Sequence, residues 1–231
     1  MKPVEIRYSK ITKKFPREFI LLQGLGCFWK KCAFCDFYED VSKNPFEINS
    51  KVIENITGEF GIVDVANSGS IMELDSQTLN MLIDKVKEKK IKEVWCEVHW
   101  QYRNQLDNFS EKFENVKLDY KVGIETFNPK LRSSWNKGID ESVSPDDIAK
   151  YFKSVGLLVG AENQTFEDAV SDIKIAKNYF KRCMVNVFSP NSKKIKENRP
   201  LINRFIQEIY PKIKDDPQIE ILLNIIDLGV G

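Results

Sequence analysis

Residues 19–36 read Phe19-Ile20-Leu21-Leu22-Gln23-Gly24-Leu25-Gly26-Cys27-Phe28-Trp29-Lys30-Lys31-Cys32-Ala33-Phe34-Cys35-Asp36. The first five positions form an apolar run of strand length. The rest is a loop with its cysteines spaced C-x4-C-x2-C. Thiolates are soft ligands that hold zinc or iron–sulfur clusters. Structural zinc takes four ligands, and a fourth would have to come from Cys96, Cys183 or His99. A thiolate trio without an adjacent fourth fits a cubane cluster with one iron left open to a small molecule. A zinc knot closed by a distant ligand, or loosely placed cysteines, are the plainer readings. Gly24 and Gly26 let the backbone fold closely around a bulky group.

Outward from this loop, apolar strands alternate with helix-period segments. Ser50 is expected to cap a helix carrying Val52, Ile53 and Ile56. A second strand follows at Ile62–Asn67, then a helix capped by Ser76 with Leu79, Leu82, Ile83 and Val86 on one face. Val94–Val98 reads as a third strand, 104–113 as a helix and Leu118–Glu125 as a fourth strand. Ser144-Pro145-Asp146-Asp147 places a cap, a first-turn proline and acids at a helix start; Ile148, Tyr151, Phe152 and Val155 continue it. A strand at Gly156–Gly160, a helix started by Thr165 with Asp168, a strand at Met184–Phe188, a helix over Leu201–Ile213 and a strand at Ile219–Leu228 complete the pattern.

Such alternation implies an α/β fold with a parallel sheet and right-handed crossovers. A closed eight-fold barrel takes about 250 residues. Six units in 231 residues predict a partial (β/α)6 barrel, with a doubly wound sheet as the alternative. Either fold puts the site at the C-terminal ends of the strands. No low-complexity linker divides the chain, which reads as a single domain over residues 1–231.

Lys plus Arg (35) and Asp plus Glu (34) leave a net charge of +1, without the basic excess of a broad nucleic-acid-binding face. No stretch approaches the roughly 18 consecutive apolar residues of a membrane span. The opening Met1-Lys2-Pro3-Val4-Glu5 lacks the apolar core of an export signal, which points to the cytoplasm. The single histidine, His99, excludes mechanisms that need two.

On residues 23–36 the sequence resembles the radical SAM superfamily, whose usual spacing is C-x3-C-x2-C with an aromatic before the last cysteine. Phe34 matches that aromatic; the first gap is one residue longer here. The resemblance covers about residues 18–190, with the C-terminal helix and strand expected to close the barrel. It implies a 4Fe–4S cluster on Cys27, Cys32 and Cys35, whose open iron chelates S-adenosylmethionine (SAM). One-electron reduction, by flavodoxin or ferredoxin, then yields a 5′-deoxyadenosyl radical.

The resemblance extends to the other strand ends. Asn67, Ser68 and Gly69 stand where a glycine-rich segment meets the methionine amino group, although Gly-Gly-Glu is absent. Glu97 resembles a cofactor-contacting glutamate; by strand alternation His99 shares its side, while Cys96 faces the helices as a small hydrophobe. Gly123–Asn128, with Asn136-Lys137-Gly138 downstream, looks like the fourth-strand motif, in which Glu125 would accept ribose hydroxyls. Gly160 resembles a fifth-strand turn beside the adenine. Asn186 is an adenine or substrate contact, or a structural hydrogen bond.

The short chain, without auxiliary-cluster cysteines or an added nucleic-acid domain, favours a small-molecule substrate. Within the superfamily, Leu22–Asp36 and the overall size are similar to the compact queuine lyases. That likeness implies release of 7-aminomethyl-7-deazaguanine from queuine by breaking a carbon–nitrogen bond. Asp36 and Asp227 are candidate acceptors for the donor edge of the base. Trp100, Tyr102 and Phe127 are candidate stacking partners, and His99 a proton-transfer or hydroxyl-binding group. The alternatives are another small-molecule radical SAM enzyme, such as a 7-carboxy-7-deazaguanine synthase or a glycyl-radical activase, and a non-catalytic iron–sulfur or zinc protein.

Overall fold

A computed structural model of the chain describes residues 6–231; the opening stretch read above for an export signal lies outside them. The chain forms two compact units, residues 6–30, 37–120 and 226–231 in one and 31–36 and 121–225 in the other.

In the first unit β1 (Tyr8–Ile11) pairs antiparallel with β2 (Arg17–Leu22). β2, β3 (Ile62–Asn67) and β4 (Glu93–Glu97) then pair in parallel, in chain order. Every residue of β2 is buried, as a parallel strand covered on both faces requires. The crossovers carry α1 (Pro45–Glu54) and α2 (Ser76–Glu88). After β4 come a 3-10 turn, Trp100–Gln105, and α3 (Leu106–Ser110). The N-terminal ends of β2 and β3 are locked by polar contacts. Arg17 pairs with Asp64 at 2.8 Å, both buried, and its guanidinium lies over Trp95. Glu18 accepts hydrogen bonds from the Thr57 and Gly58 amides and the Tyr8 and Thr57 hydroxyls. Burial pushes the Glu18 carboxyl up, but these donors outweigh it and hold the pKa below the usual range.

β5 (Lys117–Glu125) runs from the residues of the first unit into the second. There it pairs in parallel with β6 (Ser154–Val159), which pairs with β7 (Arg182–Val187), which pairs with β8 (Ile219–Leu222). α4 (Pro129–Ser134) and α5 (Pro145–Ala149) join β5 to β6, α6 (Phe166–Tyr179) joins β6 to β7, and α7 (Arg199–Glu208) and α8 (Tyr210–Ile213) join β7 to β8. This succession of parallel strands and crossover helices is the topology of a partial (β/α)6 barrel.

Several boundaries differ from expectation. Asn44 with Pro45 starts α1, so Ser50 lies inside that helix and Ile56 beyond it. Asp75, not Ser76, caps α2, accepting from the Thr78 amide. The expected helix over 104–113 is a 3-10 turn plus one short helix. α5 keeps its Ser144 capping box but stops at Ala149, and Val155 belongs to β6. β8 ends at Leu222 rather than Leu228, since the chain turns through exposed Ile225 and Ile226. Thr165 and Asp168 form the expected capping box of α6.

Candidate active site

In the first unit the cysteine loop lies against the end of β3. The Ser68 hydroxyl accepts the Gly24 N–H at 2.7 Å. A Cβ on Gly69 would come within 3.0 Å of the Gly26 carbonyl and 3.2 Å of the Cys27 Cα, so glycine is required for this approach. Asn67 donates to the Ser70 carbonyl at 3.1 Å. Its buried Oδ1 has no partner among the described residues, an acceptor left for a donor from outside.

Glu73 gathers this corner together. Its carboxylate accepts the Ser70 N–H at 2.8 Å, the Phe28 N–H at 2.9 Å and the Tyr102 hydroxyl at 2.9 Å. Burial, then the bond to Glu73 and the nearby Cys27 thiol, push the Tyr102 phenol well above its usual pKa. It remains a neutral donor. His99 caps the 3-10 turn: its Nδ1 accepts the Gln101 N–H at 3.3 Å and its own N–H donates to the Ser70 hydroxyl at 2.9 Å. The proton of a neutral ring then sits on Nε2. The His99 ring stacks on Trp29 at 5.5 Å. Glu97, at the end of β4, is half-buried. Trp100 is buried with Arg103 over its ring at 4.5 Å. Asp227 is exposed, in a turn.

In the second unit the 31–36 segment is pinned by backbone contacts. The Ala33 N–H donates to the Trp135 carbonyl at 2.9 Å, Asn191 donates to the Phe34 carbonyl at 2.6 Å, and buried Asp36 accepts the Ser192 N–H at 3.1 Å. Phe34 packs with Leu131, Trp135, Leu158, Ala161 and Phe188, and Cys32 and Cys35 rest against this cluster. Lys137 lies over the Phe34 ring at 5.6 Å and pairs with Glu125 at 2.7 Å. Burial alone would lower the Lys137 pKa. The charge of Glu125, with smaller contributions from Cys32 and Cys35, overcomes that and raises it.

Glu125 itself holds φ +69 just past a register shift against β6. Such a backbone is uncommon for a residue with a side chain and concentrates at functional sites. Gly160, at the end of β6, takes φ +94 against Ile202. The Gln164 side chain bridges the Gly160 N–H and the Leu158 carbonyl, each at 2.8 Å. Asn186 is half-buried on β7, in register with Leu158 and Leu222. Phe127 is buried and stacked on Phe180 at 5.8 Å, and its N–H donates to buried Asp172.

Cys27, Cys32 and Cys35 are half-buried and form no disulfide; Cys96 and Cys183 are buried. Burial pushes the Cys183 thiol far above its usual pKa, which makes it a packing group rather than a ligand. Among the described residues no three His, Cys, Asp or Glu side chains are grouped around one ion. Reading the sequence alone missed Glu73, Gln164 and Asp172. Ser70-Ile71-Met72-Glu73 carries the capping-box pattern that marks Glu73; the other two have no local signature.

No protein-family model matches the chain. Among solved structures it is similar to a queuine lyase from Clostridium spiroforme bound to SAM and queuine, with 37% identity, coverage of 98% of this chain and 99% of that one, and a TM-score of 0.93. It is also similar to SuiB of Streptococcus suis, at 16% identity and a TM-score of 0.53 over 88% of this chain and 49% of that one. SuiB bound to S-adenosylmethionine gives a TM-score of 0.54 at the same identity, over 46% of that chain. At that identity the likeness is one of fold. A curated relative, the heme chaperone HemW of Buchnera aphidicola subsp. Acyrthosiphon pisum, is 26% identical over 172 residues, which cover 64% of this chain and 44% of HemW. No helix of the described residues is long and apolar enough to cross a membrane. With 37% identity to the Clostridium spiroforme queuine lyase over 98% of its length, the chain belongs to the queuine lyase family of radical SAM enzymes.

Proposed function

We propose that this chain is a queuine lyase, which breaks a carbon–nitrogen bond of queuine and releases 7-aminomethyl-7-deazaguanine. The observation that carries the reading is the 37% identity over 98% of the chain to an enzyme bound to SAM and queuine. The donor set fits the implied cofactors: half-buried Cys27, Cys32 and Cys35, in no disulfide, suit a 4Fe–4S cluster, and the buried Oδ1 of Asn67, unpartnered among the described residues, suits an amino group. When bound, the cluster and SAM together supply a 5′-deoxyadenosyl radical.

The protein's own residues bind, orient and exclude water. Asn67, Ser68 and Gly69 receive the methionine end of SAM. Glu125, fixed by Lys137, accepts ribose hydroxyls, with Glu97 as a second acidic contact. Phe34, Gly160 and Asn186 border the adenine. Asp36, ordered by Ser192, is the proposed acceptor for the donor edge of the deazaguanine, with Asp227 as a second candidate. His99, holding its proton on Nε2, binds or protonates at the cyclopentenediol. Trp100 and Phe127 shape the surrounding walls, and Tyr102 holds Glu73 rather than stacking on the base. The two units act as one catalytic domain in this reading, served by flavodoxin or ferredoxin.

Anaerobic enzyme incubated with SAM, reductant and queuine should form 7-aminomethyl-7-deazaguanine together with 5′-deoxyadenosine, measured by mass spectrometry. Deoxyadenosine without the aminomethyl base would redirect the reading to another small-molecule radical SAM reaction.

A further inference from the structure

In the second unit the carboxylate of Glu125 folds back over its own strand. A Cβ on Gly123 would collide with that carboxylate and lie 2.9 Å from the Lys137 Nζ. The return comes from the Glu125 backbone at φ +69, a conformation that is costly for a residue with a side chain and persists only where its surroundings over-determine it. The holding contacts lie just downstream. The Phe127 N–H donates to Oδ1 of Asp172 at 2.6 Å, and Nδ2 of Asn128 donates to Oδ1 of Asp168 at 2.8 Å. Asp168 and Asp172 stand four positions apart on α6, and so share one face of it. Asn128 also caps α4, its Oδ1 accepting the Lys130 and Leu131 N–H groups. Lys137 follows the end of α4, with its N–H donating back to the Arg132 carbonyl at 3.3 Å. Both members of the Glu125–Lys137 pair are thus tied to one helix, Glu125 through Phe127 and Lys137 through Asn128 and α4.

We propose that Asp172 is a positioning residue for SAM: by holding the Phe127 amide it fixes the left-handed turn at Glu125 that presents the carboxylate to the ribose. The inference rests on the ribose contact proposed above for Glu125. Asp172 acts through the backbone, from a buried place on α6. Without its oxygen the amide of buried Phe127 becomes a donor with no acceptor. The turn then loses the contact that offsets its strain, and the carboxylate leaves its place over Gly123. A binding group held by a second tier of hydrogen bonds loses affinity when that tier is removed, although no ligand contact is touched.

The test measures SAM dissociation constants by anaerobic calorimetry on the cluster-loaded protein, and amide exchange over residues 126–128 by mass spectrometry without SAM. Asp172→Leu removes the acceptor; it should weaken SAM about ten-fold and speed exchange over 126–128. Asp172→Ala makes the same deletion with a smaller side chain and carries the test where leucine does not fold. Asp172→Asn keeps an acceptor oxygen and should hold both readings near the wild type. In a Glu125→Gly background, where the carboxylate is gone, Asp172→Leu should add no further loss of SAM affinity. Additive losses overturn the proposal, because Asp172 then acts by another route. So does an Asp172→Leu protein that exchanges faster over 126–128 yet binds SAM as the wild type does. A Glu125→Gly protein that binds SAM like the wild type fails the ribose contact itself, and a wild type that binds no SAM fails the radical SAM reading, each a result distinct from the other two.

Discussion

The carboxylate of Glu73 accepts the backbone N–H of Phe28 at 2.9 Å, across 45 positions of sequence. Because Phe28 follows Cys27, the carboxylate sets the direction in which that cysteine leaves the loop. Glu73→Ala deprives the Ser70 and Phe28 amides and the Tyr102 hydroxyl of their acceptor together. The expected loss is about 2 kcal/mol of stability, with lower iron content per chain after reconstitution. Glu73→Gln keeps one acceptor oxygen and should recover part of both. Chemical denaturation and iron analysis read the two effects separately.

Glu125 and Lys137 form a buried pair, and an ion left buried without its partner is costly. Glu125→Gln and Lys137→Met should each destabilise by about 3–5 kcal/mol and weaken SAM binding in calorimetric titration. Glu125→Gly relieves the φ of +69 but removes the carboxylate. It should fold better than Glu125→Gln and bind SAM equally weakly.

Asp172 is buried on α6, with Oδ1 accepting the Phe127 N–H and Oδ2 unpartnered among the described residues. Burial pushes its pKa up to about 7, against the pull of that amide and of Thr126. Between about pH 4 and pH 7 the folded chain holds a proton that the unfolded chain releases. Its stabilising contribution is therefore full below pH 4 and is lost as pH rises through 7, by a few kcal/mol. Asp172→Asn should flatten this slope in urea unfolding curves taken from pH 4 to pH 8, and be more stable than the wild type at pH 8.

The five cysteines separate cleanly by position. Cys27→Ala, Cys32→Ala and Cys35→Ala should each abolish the visible absorbance of the reconstituted protein. Cys96→Ala and Cys183→Ala should keep it, losing only about 1 kcal/mol of stability each as buried small side chains are trimmed. Loss of absorbance in Cys183→Ala would make it a ligand after all.

Gly160 takes φ +94 with Ile202 packed against its Cα. Gly160→Ala should destabilise by about 2–3 kcal/mol, and Ile202→Ala in the same chain should recover the steric part but not the backbone strain. Thermal melts of the single and double variants measure the two portions.

Strands β2 to β7 were legible to within two or three residues because parallel strands buried on both faces are apolar runs. Capping boxes at Ser144 and Thr165 were legible because the cap and its partner lie three residues apart. Asn44-Pro45 carries the same kind of signal, and Ser50 drew attention from it because it precedes an apolar pair. β1 was invisible: Tyr-Ser-Lys-Ile is four residues long, and its pairing with β2 shows no period of its own.

The site divides in the same way. The cysteine loop, Asn67, Glu125 and Gly160 are candidates in sequence because each stands at the end of an apolar run. Sequence could not show that Tyr102 is held by Glu73, or that Asp172 anchors the amide after Thr126, since both are contacts between distant segments. Phe127 reads as a stacking candidate in sequence because aromatics do not announce their neighbours. Its stacking on Phe180 belongs to the packed interior.

Residues 226–231 belong to the first unit, alongside β1. Ile6 and Gly231 exchange backbone hydrogen bonds at 3.1 and 2.9 Å, and the Ser9 hydroxyl donates to the carbonyl of Leu228, 219 positions on. During ribosomal synthesis the segment around β1 therefore emerges before its partner at Leu228 and waits for a residue translated 219 positions later. Until it arrives the segment's open backbone groups are available to other chains, which gives a chaperone or a slow temperature shift its point of leverage on the yield of native protein.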